Sequence, residues 1–299
     1  MVTKLEQLVE LAKKTNKKTI SVAAAHDEPV LKAVTEAVKL GIVNAILVGD
    51  EEKIREICEK QKYCLDNIKI VNERDNAKCA AKAVEFVSKG EAQFIMKGLL
   101  GTAVLLKAVL NKEANLRGKG LLSHVMIYEV PTYHKLIFLT DGGMVPYPEL
   151  NDKVQIINNA VKVTNALGIE NAKVAPLCAV EVVNPSMQAT LDAASLAQMS
   201  ARGQIKGCTI DGPLALDNAV SKEAAMHKGI VSDVAGDADI LLVPSIEAGN
   251  LLGKSLTYFA HGENAGIIVG AKCPVVLVSR ADSAKSKLYS IALGALAAK

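Results

Sequence analysis

The stretch KKTISVAAAHDEPVLKAVTEAVKLGIVNAILVGD (17–50) decides the fold. Its two ends, KKTISVAAA (17–25) and NAILVGD (44–50), are short apolar runs in which Ile and Val are prominent, the pattern of strands covered on both faces. Between them EPVLKAVTEAVKLG (28–41) reads as a helix ended by Gly41. A strand, a helix and a second strand in so short a length make a parallel pair with a right-handed crossover. The same unit repeats downstream. EEKIREICEKQ (51–61) is a helix and IKIV (68–71) a strand; DNAKCAAKAVEFVSKG (75–90) is a helix stopped by Gly90; FIMKG (94–98) is a strand and TAVLLKAVLN (102–111) a helix. Upstream, Leu5, Leu8, Val9 and Ala12 recur at helical spacing while Glu6 and Glu10 interrupt the apolar run, which makes an amphipathic helix and no signal peptide.

The rhythm changes at LSHVMIYEVPTYHKLIFLTD (122–141), where two strands flank Pro131 and suggest an antiparallel hairpin. Alternation then resumes. Helices are expected at 152–168, 184–203, near 214–228, from about 248 to 260 and at 282–298, and strands at 173–180, 208–212, 238–245 and 274–279. The number of strand–helix units and the hairpin between them predict an α/β protein of two α/β domains with a cleft between them. A junction is expected near 122–130, with no linker composition to mark it, so the chain is expected to cross between the domains more than once.

Composition narrows the function classes. The 299 residues are 50% hydrophobic and 22% charged with a net charge of +3, too small an excess to build a nucleic-acid surface. Aromatic content of 3% without Trp disfavours base-stacking platforms. No run is long and uncharged enough to span a membrane, so a cytoplasmic protein is expected. The six cysteines (58, 64, 79, 178, 208, 273) form no C-x-x-C and have no His at zinc spacing, which reads as reduced, structural thiols and no metal site.

Several motifs fall just past strand ends, the edge where open α/β sheets bind ligands. In MKGLLGT (96–102), Lys97 offers charge, Gly98 close backbone approach and Thr102 a helix cap. AGNLLGKS (248–255) is close to a P-loop but has Ala248 at the first glycine position and Glu247 beside it. Its N–H groups at 248–251 remain a place for an anion or an acyl carbonyl. In VSRADS (278–283), Arg280 offers a planar fork for phosphate and Ser279 a hydroxyl donor, with Asp282 nearby. Asp141, Asp211, Glu247, Asn250 and Ser279 all follow strands. No G-x-G-x-x-G and no G-x-S-x-G occurs. The short acidic stretch Asp233, Asp237 and Asp239 reads as a surface loop, with no aspartate cluster of the kind a metal- and NAD-dependent dehydrogenase would need.

Taken in order, FIMKGLLGT (94–102), TDGGMVPYPEL (140–150), VEVVNPSMQATLDAASLAQM (180–199), IDGPLALDNAV (210–220), ADILLVPSIEAGN (238–250) and PVVLVSRADS (274–283) resemble the phosphate acetyltransferase/butyryltransferase family, its butyryl branch more than its acetyl one. The resemblance implies an isocitrate/isopropylmalate dehydrogenase-like fold with the C-terminal segment returning to the first domain, which gives residues 1–125 plus 267–299 for the first domain and 126–266 for the second. It implies the reaction acyl-CoA + phosphate ⇌ acyl phosphate + CoA by direct attack in a ternary complex. It implies no tightly bound cofactor, coenzyme A as substrate or product, no nucleic-acid or membrane partner, and a homodimer or larger homo-oligomer. Carried onto this chain, the family's serine–arginine pair makes Ser279 and Arg280 catalytic. Lys97, Gly98, Thr102, Asp141, Asp211, Glu247, Asn250 and Asp282 are then expected to bind substrate. Where the acetyl enzymes carry an aspartate seven residues after that serine, this chain has Ser286, which leaves the base for the CoA thiol open among Asp282, Glu247 and Asp211. The alternatives are a phosphate acetyltransferase, a non-catalytic acyl-CoA-binding protein and the dehydrogenase of the same fold.

Overall fold

A computed structural model describes residues 2–279 and 282–299. The chain folds as a mixed α/β protein whose residues cluster into two compact units. A terminal unit holds 6–120 and 265–299, and a central unit holds 121–264 with the N-terminal residues through Leu5.

In the terminal unit, α1 (Glu6–Lys13) leads into β1 (Lys18–Ala23), α2 (Glu28–Lys39), β2 (Val43–Gly49), α3 (Glu51–Gln61), β3 (Ile68–Asn72), α4 (Asn76–Ser88), β4 (Phe94–Lys97) and α5 (Thr102–Val109). Local chemistry sets these boundaries. Asp50 and Asp75 accept the Lys53 and Lys78 N–H groups and so start α3 and α4. Gly41 and Gly90 follow α2 and α4 at φ +78°, a conformation a side chain would strain. The central strands β1, β2 and β4 are buried along most of their length, whereas β3 at the sheet edge alternates.

The central unit begins with β5 (Ser123–Glu129) and β6 (Ile137–Thr140), antiparallel with Met126 opposite Leu139. It continues through α6 (Leu150–Ala166), β7 (Ala172–Pro176), α7 (Gln188–Ala201), β8 (Cys208–Ile210), α8 (Leu216–Val220), α9 (Lys222–His227), β9 (Ile240–Leu242) and α10 (Ile246–Tyr258). Strand order is β5-β6-β9-β7-β8, parallel from β6 onward. Its core joins Tyr128, Ile137, Leu139, Leu177, Leu214, Leu241 and Val243, with Leu252 and Leu256 of α10 packed on it. The chain returns to the terminal unit in β10 (Glu263–Val269), β11 (Val275–Val276) and α11 (Ala284–Ala297). This completes the order β3-β2-β1-β4-β11-β10, parallel up to β11, with β10 antiparallel to it.

Four expectations are corrected. The stretch near 214–228 is two short helices, because Ser221 is extended and its Oγ accepts the Ala224 N–H to start α9. Residues 263–269 form a strand that was not expected. The strand expected at 274–279 is ladder-paired only at Val275 and Val276. The acidic stretch is a surface loop only at Asp233, which is exposed: Asp239 is buried and accepts Lys135 at 2.6 Å, while the half-buried Asp237 holds Lys173 at 2.5 Å and His134 at 2.8 Å. Among the described residues no helix is long and apolar enough to cross a membrane.

Candidate active site

In the terminal unit two adjacent parallel strands deliver two turns to the same edge. The pairing of Ile95 with Val275 and Met96 with Val276 places the turn after β4 beside the turn after β11. The first turn is held tightly. Gly98 N–H donates to Ala23 O and Leu99 N–H to Ala24 O, both at 2.8 Å. A Cβ on Gly98 would overlap the Ala24 carbonyl oxygen and lie 2.7 Å from Ala23 O. Lys97 is buried, and its Nζ donates to Gly98 O and Leu100 O at 3.3 Å, so its charge lies beneath the turn. Thr102 is not the helix cap: Gly101 occupies that position without a side-chain bond, and Thr102 is the first helical residue.

In the second turn Ser279 is exposed, and its N–H donates to Asp282 Oδ2 at 2.7 Å. Ser283 caps α11 through the Ser286 N–H. Arg280 lies outside the described residues. Sequence reading missed Lys287, which is buried and donates to Asp282 O at 2.6 Å and Ser279 O at 3.3 Å. Burial pulls its ammonium below the usual lysine range, against the raising effect of Asp282 and Asp27. A lysine on a closing helix carries no motif, so only the folded turn reveals it.

The central unit gathers three of its four expected residues. Asp141 follows β6, and Gly142 sits against α10 so closely that a Cβ there would lie 2.9 Å from Gly249 C and 3.2 Å from Asn250 N. Asp141, Glu247 and Asn250 therefore belong to one corner. Asp211 does not: it follows β8, three strands from β6, which at the usual spacing is about 14 Å away. Asp141 is 2% exposed. Its Oδ1 accepts Gly143 and Met144 N–H at 2.8 Å, while Oδ2 is buried and has no hydrogen-bond partner among the described residues. Burial raises its carboxyl above the usual range, opposed by the Gly143 N–H, by His124 and by the Met144 N–H. Glu247 is exposed and accepts the Tyr147 hydroxyl at 2.7 Å, a bond that lowers its carboxyl and makes it a weaker base.

The near-P-loop is a helix. Ser245 Oγ accepts the Ala248 N–H and Ser245 O the Gly249 N–H, and residues 250–255 lie within α10. The N–H groups at 248–251 are thus spent on the helix, and the segment cannot wrap a phosphate chain. His124 belongs to none of the motifs read in the sequence. The β5–β6 register, running on from Met126 opposite Leu139, brings His124 beside Asp141, and Thr140 Oγ1 donates to His124 O at 2.9 Å. All six cysteines are free, and burial raises the thiols of Cys178 and Cys208 to about 11 and of Cys273 to about 12, which makes them poor nucleophiles.

The phosphate acetyl/butaryl transferase family model matches residues 3–84 and 76–295. A phosphate butyryltransferase of Clostridium acetobutylicum is 53% identical over 298 residues, covering 100% of this chain and 99% of its own. A phosphate acetyltransferase of Thermotoga maritima is 46% identical, covering 98% and 99%. Among solved structures, a branched-chain phosphotransacylase from Enterococcus faecalis superposes with a TM-score of 0.83 at 36% identity, covering 94% of this chain and 98% of that one. With edge turns of this kind and matches running nearly its whole length, the chain belongs to the phosphate acetyl/butaryl transferase family.

Proposed function

We infer that this chain transfers a short acyl group, butyryl in preference to acetyl, between coenzyme A and inorganic phosphate. The end-to-end match to a relative named phosphate butyryltransferase carries this reading. Transfer is direct. Phosphate attacks the thioester carbonyl, or CoA thiolate attacks the acyl phosphate, while the protein positions both and stabilises charge. Arg280 clamps the phosphoryl oxygens through its two-pronged guanidinium. Ser279 donates its hydroxyl to the oxyanion. Asp282 and Lys287 hold the Ser279 backbone, one through the Ser279 N–H and the other through the Ser279 and Asp282 carbonyls. The open first turn of α5 and the buried Lys97 ammonium add positive potential beneath Gly98. Asp141, Glu247 and Asn250 serve the CoA side. Asp211, on another strand of that edge, contacts a more distant part of the same substrate.

The same reading takes the two compact units as the two domains of an isocitrate/isopropylmalate dehydrogenase-like fold. It places the enzyme in the cytoplasm as a homodimer or larger, with coenzyme A and phosphate as its substrates and no tightly bound cofactor. The test is phosphate-dependent release of free CoA, read with a thiol reagent in EDTA without nicotinamide, across acetyl-, propionyl-, butyryl- and isobutyryl-CoA. Turnover peaking at the four-carbon acyl groups is expected. Release indifferent to phosphate identifies a thioesterase instead, and CoA binding without release identifies a non-catalytic acyl-CoA binder.

A further inference from the structure

We propose that Lys287 is a positioning residue for phosphate: its buried ammonium, held on the carbonyls of Ser279 and Asp282, sets the Ser279 backbone and places positive charge behind it, so that affinity for phosphate depends on the charge at 287. The proposal rests on the transfer reading above, in which Ser279 stands at the phosphate, and adds a group that acts on phosphate without touching it.

Three observations carry it. The first is direction. Lys287 lies in the first turn of α11, and a long side chain on a helix points back toward the N-terminus. That brings its Nζ to Asp282 O at 2.6 Å and to Ser279 O at 3.3 Å. The second is closure. Ser279 O also accepts the Asp282 N–H at 3.2 Å, and Asp282 Oδ2 accepts the Ser279 N–H at 2.7 Å. Lys287 thus completes a ring of bonds that engages both polar groups of the Ser279 main chain. The third is cost. Lys287 is 2% exposed, and a buried ammonium is expensive unless it is paired. Its partners are main-chain carbonyls, and among the described residues no carboxylate comes within ion-pair distance of its Nζ. Carbonyl dipoles satisfy the donors without cancelling the charge, which therefore acts at full strength on its surroundings. A well-packed apolar residue would fill the position at less expense. An ammonium kept there suits an anion bound at Ser279.

Few other charges act on it. α2, which packs on α11, buries an apolar face; its Glu28, Lys32 and Lys39 are exposed and Glu36 is half-buried. α1 exposes Glu6, Glu10 and Lys13. β11 carries no ionisable group, β10 carries only Glu263, and β4 ends in Lys97, which donates to Gly98 O and Leu100 O. On α11 itself Lys285 is exposed, 5.6 Å from the centre of the Tyr289 ring. The charges that reach Lys287 are Asp282 and Asp27; both raise its ammonium, and burial outweighs them and lowers it. The charge is therefore lost, as pH rises, earlier than on an exposed lysine.

The experiment measures kcat, KM for phosphate and KM for butyryl-CoA in wild type, Lys287→Met, Lys287→Arg and Lys285→Met over about pH 7–10. Acyl-CoA and phosphate are the reactants, so no thiol has to ionise before attack. Lys287→Met should raise KM for phosphate about 10-fold or more at pH 7 while KM for butyryl-CoA stays within about twofold. In wild type KM for phosphate should climb at the alkaline end. Lys287→Arg should regain most of the affinity at pH 7 and lose that climb, because a guanidinium does not deprotonate there. Lys285→Met removes an exposed charge from the same helix and should leave all three constants within about twofold. A Lys287→Met enzyme whose KM for phosphate is within about twofold of wild type overturns the proposal. So does a rise in both KM values alike, a fall in kcat alone, or an equal effect from Lys285→Met. If the Lys287 variants are unfolded by circular dichroism, the wild type decides: KM for phosphate must climb with pH while KM for butyryl-CoA does not, and a flat phosphate profile refutes the assignment. A wild type that releases no CoA with phosphate defeats the transfer reading instead.

Discussion

Replacing Gly98 with alanine adds one methyl group to the tightest turn of the terminal unit. That methyl would overlap Ala24 O and approach Ala23 O to 2.7 Å, and both are main-chain atoms that cannot rotate away. The turn must move off the end of β1, which strains or breaks the Gly98 and Leu99 N–H bonds to those carbonyls. Two such bonds are worth about 0.5–1.5 kcal/mol each, and overpacking adds about 1–3 kcal/mol. The expected cost is about 2–6 kcal/mol, confined first to β1 and β4. Because two compact units need not unfold together, the assay is urea denaturation by circular dichroism combined with amide exchange in peptides 18–25 and 94–101. Exchange there should quicken about 30-fold or more, and phosphate-dependent CoA release should fall with it. Gly101→Ala is the control. Its Cβ would meet nothing nearer than Val104 Cγ2 at 3.8 Å, so it should cost no more than about 1 kcal/mol of capping. A Gly98→Ala protein with unaltered exchange in both peptides refutes the argument that close backbone approach, and not mere turn flexibility, demands glycine at 98.

Arg280→Ala should cut kcat/KM by about 10²-fold or more in steady-state assays, since it removes the proposed clamp on the oxygens of the phosphate that takes up or gives up the acyl group; near-normal activity means the clamp is elsewhere. Lys153→Met should destabilise the central unit by about 3–5 kcal/mol in urea melts, because Asp192 is left charged and buried, and Lys153→Met with Asp192→Leu should recover part of that loss. Burial works against ionisation of Asp237, yet the bonds from Lys173, His134 and Lys135 outweigh it and hold the carboxyl well below the usual range. Its stabilising effect is therefore complete above the ordinary carboxylate pKa of about 3.9 and disappears as pH falls through the lower folded value. Asp237→Asn should accordingly melt earlier than wild type at pH 7, with the gap closing below about pH 4.

The parallel core was readable because its strands are apolar runs whose helices end on glycines. Hydrophobic periodicity and backbone conformation speak the same language there. Boundaries set by single side chains were not. Ser221 divides one helical stretch into two by turning extended, and Ser245 caps α10 so that it starts at Ile246, two residues before the expected start near 248. Strand β10 went unread because Gly266 interrupts its apolar run; in the fold the Gly266 N–H donates to Ser290 Oγ of α11 while Ile267 and Ile268 pair with β11. At the candidate site, residues at the ends of parallel strands were found by position alone. His124 was not, because it begins an antiparallel strand, and its place at the same edge follows only from the β5–β6 register. Lys287 and the Asp237 network depend on contacts between residues far apart in the chain, which no local pattern encodes.

The terminal unit is interrupted: β4 lies before the central unit and its neighbour β11 after it. On a ribosome, β1 to β4 therefore emerge with one sheet edge waiting while 121–264 is synthesised, on the order of 10 s at typical elongation rates. Nearly all of the central unit is one contiguous segment and can fold in that interval, whereas β11, the neighbour of β4, is made only after it. Growing chains thus carry an unpaired apolar strand for seconds, a natural client for holding chaperones. Chains truncated before β11 should lack the pairing of Ile95 with Val275 and of Met96 with Val276, and with it the closed edge of β4.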